Sequence, residues 1–222
     1  MEEKKEFIKT LKSITGKYSS YEIFSDWLQL NGLAIASFTT INKKTKRARI
    51  KSYEKIFNKY TQEEIEKLVI MTEYMCNALS KKFHDFLGEI YEEMGFNNEK
   101  GGQFFTPYNI SLLMSKTLYN DPSEIIETQG FIDLNEPTCG SGGMIIAFAQ
   151  TLYENNINYK KYLKVIAQDI DLNCVLMTYI QLSFLEIQAE VVCGNTLINP
   201  YPWADTDEIN IYRTPQMIIY KK

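Results

Sequence analysis

The spacing of apolar residues changes once along this chain. Through about residue 95 they recur at helical intervals. Ile23, Phe24, Trp27, Leu28 and Leu30 fall on one face of a helix over 22–30. Thr61-Gln62-Glu63-Glu64 is a capping box, with a threonine at the cap and a glutamate three residues on. It opens a long helix whose Ile65, Leu68, Val69, Thr72, Met75, Cys76 and Leu79 form one stripe. From residue 131 short apolar runs alternate with amphipathic ones. Strands are predicted at 131–134, 163–167, 189–193 and 216–220, and helices at 142–153 and 172–185. The strands recur at the roughly 30-residue interval of a βαβ unit. The pattern predicts an α/β chain. A helical domain over 1–95 precedes a parallel, doubly wound sheet of about four strands within 96–222, with any ligand beyond the strands' carboxyl ends.

Between the two regimes, Thr106 and Pro107 read as the cap and first-turn proline of a helix through Ile110, Leu112, Leu113, Met114 and Leu118. That helix stops before Asn120-Asp121-Pro122. Ahead of it, Gly101-Gly102-Gln103-Phe104-Phe105 is either core or a flexible lid over a ligand. Lys43 to Lys51 is the densest basic run and lies between the first helices, as a solvated loop or as a contact for a phosphate backbone.

Composition narrows the chemistry. At 222 residues, 45% hydrophobic and 23% charged, the chain is an ordinary globular protein with room for a proper core. Its net charge of -4 argues against wholesale affinity for nucleic acid while leaving room for a local basic patch. No apolar run has the length of a membrane span, and Met1-Glu2-Glu3-Lys4-Lys5 opens no signal peptide, so a cytoplasmic location is expected. Cys76, Cys139, Cys174 and Cys193 form no C-x-x-C pair, and His84 is the only histidine. Histidine triads, two-histidine metal centres and zinc clusters are therefore excluded, and His84 is read as a surface or packing residue.

The candidate chemistry centres on Phe131 to Gly143, a strand, a glycine turn and the start of a helix. Three glycines in the last four positions permit positive φ and close approach of a ligand, and the new helix aims unpaired N–H groups into the same gap. The spacing is neither G-x-G-x-x-G nor G-x-x-x-x-G-K-[ST]. Two more strand ends carry polar residues. Gln168-Asp169-Ile170-Asp171 offers a carboxylate for both hydroxyls of a ribose, and Gly194-Asn195-Thr196-Leu197 offers an amide for an adenine edge. A seat for an amino-acid end, a carboxylate and an amide together describe S-adenosylmethionine.

These segments resemble the N6-adenine DNA methylase family, in particular the modification (methyltransferase) subunits of type I restriction-modification systems. Asp85 to Glu92 resembles that family's helix, and Gly102-Gln103-Phe104-Phe105-Thr106-Pro107 its G-Q-F/Y-F/Y-T-P motif. Glu136-Pro137-Thr138-Cys139-Gly140-Ser141-Gly142-Gly143 resembles D-P-x-C-G-S-G-G with glutamate for aspartate, and Gly194-Asn195-Thr196-Leu197 resembles G-D-T-L with asparagine for aspartate. The likeness spans roughly residues 85 to 198. It implies a Rossmann-like sheet with S-adenosylmethionine as cofactor. The implied pocket comprises Gln103, Phe104, Phe105, Thr106, Pro107, Glu136, Thr138, Gly140, Ser141, Gly142, Gly143, Asp169, Ile170 and Asn195.

One part of the family pattern is missing. Its catalytic loop, N/D-P-P-Y/F, follows the fourth strand beside the first and holds a flipped adenine. No such sequence occurs here, and Asn199-Pro200-Tyr201-Pro202-Trp203 precedes the predicted fourth strand and reads as a loop. No catalytic residue is therefore assigned. The sheet is expected to be incomplete, with 216–220 as an edge strand covered by a second copy or a separate polypeptide. The resemblance implies transfer of a methyl group to adenine in DNA once such a partner completes the fold, with DNA and a specificity subunit as further partners. The alternative is a catalytically silent cofactor-binding protein, regulatory or decoy, that engages restriction-modification components or DNA. Neither reading calls for a metal or a membrane.

Overall fold

The computed structural model describes residues 2–14, 16–97, 104–200 and 208–219. The first helices are α1 (Glu2–Ile14), α2 (Ser20–Thr39), α3 (Lys43–Phe57), α4 (Gln62–Lys81) and α5 (Phe86–Glu93). Two of them begin with reciprocal caps. At α4 the Glu64 amide donates to Thr61 Oγ1 at 3.3 Å and the Thr61 amide to Glu64 Oε2 at 2.7 Å, and Ser19 with Glu22 does the same for α2. Ile23, Phe24, Trp27, Leu28 and Leu30 are buried as the periodicity requires, but α2 runs on to Thr39. On α4, Leu68, Met75 and Leu79 are buried while Val69 faces solvent. Trp27 Nε1 donates to Leu68 O at 3.0 Å, tying α2 to α4. Phe7 meets Trp27 and Phe86 edge-on at 5.1 and 5.7 Å, locking α1, α2 and α5 together.

The basic run 43–51 is not a loop. It is most of α3, capped by Asn42, whose side chain accepts from Lys44 N at 2.9 Å and Thr45 N at 3.2 Å. Lysine and arginine are good helix formers, yet the segment carries too few apolar residues to show a period.

The second part contains α6 (Tyr108–Leu118), α7 (Ser123–Gln129), β1 (Ile132–Glu136), α8 (Gly143–Glu154), α9 (Tyr159–Tyr162), β2 (Leu163–Asp169), α10 (Leu172–Phe184), β3 (Gln188–Cys193), β4 (Ile211–Arg213) and α11 (Gln216–Ile219). The cap of α6 is Pro107 rather than Thr106, whose side chain makes no capping bond. The sheet order is β1-β2-β3-β4. β1, β2 and β3 are parallel, with Leu134 opposite Val165 and Ala167 opposite Val191.

The fourth strand differs from expectation in place and direction. Residues 216–219 form α11, and β4 lies earlier, antiparallel to β3, with Ile211 opposite Val192 and Arg213 opposite Glu190. The sheet is therefore mixed. Thr214 anchors the chain by donating Oγ1 to Ile187 O at 2.8 Å and accepting from Ala189 N at 2.9 Å. Pro215 then opens a helical turn, so Met217-Ile218-Ile219 is an apolar run that winds rather than extends. Among the described residues the edge strands of the sheet are β1 and β4, and 216–219 is no part of it.

Nor is the described sheet doubly wound. An order of β1-β2-β3 without reversal sends successive right-handed crossovers to one face. Ile132, Val165, Ala167, Ala189 and Val191 are buried on that face. On the other, Asp133 and Asn135 are exposed and Lys164, Ile166 and Glu190 are half-buried. The alternation Ile-Asp-Leu-Asn-Glu in β1 is the pattern of a half-exposed strand. A single hydrophobic core runs from Phe7 on α1 to Tyr212 on β4, because α10 packs against both the sheet and α2. Among the described residues no helix is long and apolar enough to cross a membrane.

Candidate functional site

The glycine turn after β1 is held from three directions. Gly140 and Gly142 adopt φ of 52° and 93°, which only glycine takes without strain. From β2, the Gln168 carbonyl accepts from Cys139 N at 2.9 Å, and Asp169 Oδ2 accepts from Gly140 N at 2.9 Å. From α10, Thr178 Oγ1 donates to Gly140 O and Gln181 Nε2 to Ser141 O, both at 2.8 Å. From the helical part, Asp85 receives the Ser141 hydroxyl and also caps α5 by accepting from Gly88 N at 3.0 Å. Gln181 Nε2 reaches Asp85 Oδ1 at 2.9 Å, closing the ring of contacts.

Asp85, Thr178 and Gln181 did not emerge from the sequence as site residues. A signal was present, since an aspartate directly before a helix is a cap and two polar residues three apart interrupt the apolar α10. What those polar groups bond to is decided across the fold.

The turn forms one wall of a 430 Å³ cavity, well within the about 300–1,000 Å³ usual for small-molecule sites. Phe104, Phe105, Thr106, Thr138, Gly140, Ser141, Gly143, Asp169 and Ile170 from the sequence-derived set all line it. Glu136, Gly142 and Asn195 do not, and Pro107 lines a larger neighbouring groove of 1680 Å³ that reaches neither the glycine turn nor Asp169. Asn195 spends its Oδ1 on Leu197 N at 2.9 Å, a local turn. Gly142 is turned toward α10, where a Cβ would stand 3.1 Å from Thr178 Oγ1. Gln103 and Tyr201 to Trp203 lie outside the described residues.

The aromatic pair divides its work. Phe104 is exposed, whereas Phe105 lies over the turn, 5.5 Å from the Tyr91 ring. A Cβ on Gly140 would be 3.1 Å from the Phe105 ring, so the glycine also provides the seat for that aromatic. Ser111, on the buried side of α6, borders the same cavity, and its fully buried hydroxyl has no hydrogen-bond partner among the described residues.

The electrostatics are one-sided. Asp85, Asp169 and Asp171 line the cavity, and no basic side chain does among the described residues. Burial pushes the carboxyls of Asp85 and Asp169 above the ordinary aspartate range, and the amides of Asp171 and Gly140 partly offset this for Asp169. Glu136 is also raised, by burial first and by the charge of Asp169. The arrangement disfavours phosphates and favours a ligand carrying positive charge. Burial likewise pushes the Cys139 thiol far up, which removes it as a nucleophile. Among the described residues no three His, Cys, Asp or Glu side chains converge to hold a metal ion. His84 is buried between α4 and α5, with Nδ1 3.0 Å from Lys82 O and its ring edge-on to Phe86.

Comparison with known proteins returns a family model described as N-6 DNA Methylase, matching residues 82–211. That span begins just before Asp85 and ends at β4, so it contains every element of the site. No curated protein matches the chain.

Proposed function

The chain belongs to the N-6 DNA methylase family, and on that premise we propose that its 430 Å³ cavity is the seat of S-adenosylmethionine. The observation that carries the reading is the clasped glycine turn facing a cavity lined by Asp85 and Asp169, with no basic side chain in its lining among the described residues. A sulfonium and an ammonium against one carboxylate give that cofactor a net positive charge, whereas dinucleotides and nucleoside triphosphates bring several negative ones. The Ser111 hydroxyl, without a partner among the described residues, is a second sign of fit, because a buried donor is costly until something accepts from it.

In this reading Gly140 to Gly143 and the first turn of α8 receive the amino-acid end, since the cap Gly142 leaves those amides without a side-chain partner. Asp169 takes the ribose hydroxyls with its remaining lone pairs, while its existing bonds to Gly140 N and Asp171 N fix its direction. Ile170 and Phe104, both strongly exposed, supply apolar flanks for the adenine ring. Glu136 and Asn195 act from outside the lining, at the last position of β1 and on the loop that follows β3. When bound, the cofactor supplies an electrophilic methyl group, and the chain's own residues orient it and exclude water around it.

The acceptor base needs groups that draw hydrogen bonds from its amine, and no N-P-P-Y/F sequence occurs in the 222 residues. We assign that part to a polypeptide segment pairing with the free edge of β1, where it would stand beside the glycine turn. A polypeptide segment that carries such a loop meets the requirement, with a specificity subunit reading the DNA, and the cytoplasm is the setting we assign. The same observation allows a second reading, in which these 222 residues by themselves bind the cofactor and transfer nothing.

Calorimetric titration with S-adenosylmethionine, followed by tritium transfer to adenine-containing DNA, separates the two. Binding without transfer supports the silent reading for the chain alone, and transfer by the chain alone excludes it. Asp169→Ala should abolish binding, and an unchanged affinity would show that the cavity is misassigned.

A further inference from the structure

The basic helix α3 is not absorbed by the cofactor cavity. It holds seven basic residues against one acid, Glu54, in a chain whose net charge is -4, so the rest of the protein is strongly acidic. Lys43, Arg47, Lys51 and Lys55 follow one another at four-residue steps and all face solvent. At about 1.5 Å per residue the four span roughly 18 Å along the helix. None of the four has an ion pair or hydrogen bond among the described residues, although other lysines, Lys4, Lys59, Lys81 and Lys116, are paired with acids.

The opposite side of α3 is bolted down. Arg49, buried on that side, donates from Nη2 to the carbonyls of Glu208 at 3.0 Å, Ile209 at 3.2 Å and Ile211 at 2.7 Å. Its guanidinium also lies 4.7 Å from the centre of the Tyr212 ring. Asn42 N donates to Glu208 Oε2 at 3.1 Å. Because β4 is antiparallel and Ile211 stands opposite Val192, residues 208–210 project past the carboxyl end of β3. The first half of α3 is therefore fastened at the rim of the sheet onto which the glycine turn and Asp169 open.

We propose that the exposed face of α3, with Lys43, Arg47, Lys51 and Lys55, is a docking stripe for the sugar-phosphate backbone of duplex DNA. The proposal rests on the methyltransferase reading and deepens it, by giving the substrate a track that ends at the cofactor rim. Charge complementarity selects the occupant. A polyanion finds on α3 a row of uncommitted cations in an otherwise acidic protein. A bilayer would instead require a broad outward apolar face; Ile56 on α3 is turned into the core, and the exposed Ile50 and Phe57 make a lipid surface the competing occupant that the vesicle measurement below tests.

The test uses the full chain and a 24-base-pair duplex, with affinity measured by fluorescence anisotropy across salt concentrations. Replacing Arg47, Lys51 and Lys55 together by glutamine should weaken binding uniformly across duplex sequences. It should also reduce the slope of log K against log salt by about 2.7, at about 0.9 for each phosphate that the variant leaves unneutralised. An unchanged slope, or no binding by the parent chain at 50 mM salt, overturns the stripe. So does binding of the parent to phosphatidylserine vesicles that the triple variant loses while its DNA slope stays unchanged. Calorimetry with S-adenosylmethionine on the same variant keeps the two readings apart. Retained cofactor binding with an unchanged DNA slope refutes the stripe alone, and failure of the parent to bind cofactor refutes the cavity.

Discussion

Gly88→Ala puts the junction between the helical part and the glycine turn to the test. Gly88 sits in the first turn of α5, and a Cβ there would collide with Asp85 Oδ2 and Ser141 Oγ and would stand 2.6 Å from Asp85 Cγ. The Asp85 side chain has no slack to yield. Its oxygens are committed to Gly88 N, Ser141 Oγ and Gln181 Nε2, and its environment is buried. Overpacking of this kind costs about 1–3 kcal/mol. Loosening even one hydrogen bond to a carboxylate adds about 1.5–3 kcal/mol, and the better helix propensity of alanine offsets about 1 kcal/mol. The expected net loss is about 1.5–5 kcal/mol, a fall in melting temperature of roughly 3–20 °C for a chain of this size. Because the collision displaces Ser141, affinity for S-adenosylmethionine should fall as well. Thermal denaturation followed by circular dichroism reads the first effect and calorimetry the second. Gly16→Ala is the control, since a Cβ there meets nothing within 4 Å and its φ is not positive. If Gly88→Ala melts with the control, the packing of α5 against the turn is not what holds the site.

Two further outcomes follow from the cavity's chemistry. Ser111→Ala removes a buried hydroxyl that has no partner among the described residues, so the ligand-free protein should melt at the same or a higher temperature while affinity for S-adenosylmethionine drops by about five-fold, one hydrogen bond's worth; a lower melting temperature with unaltered affinity would count against it. The pH dependence has a definite sign. The carboxyl of Asp169 is raised by burial, so it takes up a proton at a higher pH than an ordinary aspartate and then loses both its charge and acceptor capacity for the ribose hydroxyls. Affinity should therefore be full above that raised value and decline, by up to about tenfold per pH unit, as the pH falls through it. The folding linkage of the ligand-free protein runs the other way. A folded-state value above the unfolded one means that ionising Asp85 or Asp169 opposes folding, so their contribution improves as the pH falls from the raised value toward the unfolded one. Titrations and melts between neutral and mildly acidic pH check both, and an affinity that rises on acidification would exclude Asp169 from the contact.

The amino-acid sequence by itself determined whatever is decided within a turn or two of chain. The capping box at Thr61 depends on residues three apart, the buried face of α2 on a helical period, and β1 to β3 on short apolar runs bounded by polar ends. The capacity for left-handed backbone at Gly140 and Gly142 follows from the residue type alone. So does the grouping of a glycine turn with an acidic strand end, because parallel strands must deliver their carboxyl ends to one rim.

What the tertiary structure decided involves partners far apart in the chain. The 43–51 run looks like a solvated loop until Arg49 finds the carbonyl of Ile211, 162 residues away. The apolar run 217–219 satisfies a strand and a helix equally well until Thr214 is pinned between Ile187 and Ala189. Asp85 becomes part of the site only when α5 is pressed against Ser141 and Gln181, and the exclusion of Asn195 from the cavity comes from a turn its own side chain closes. Local conformational preference amounts to tenths of a kilocalorie per residue, whereas an unpaired buried charge or carbonyl costs several times more. Where the two compete, the distant partner wins, and no window of sequence contains it.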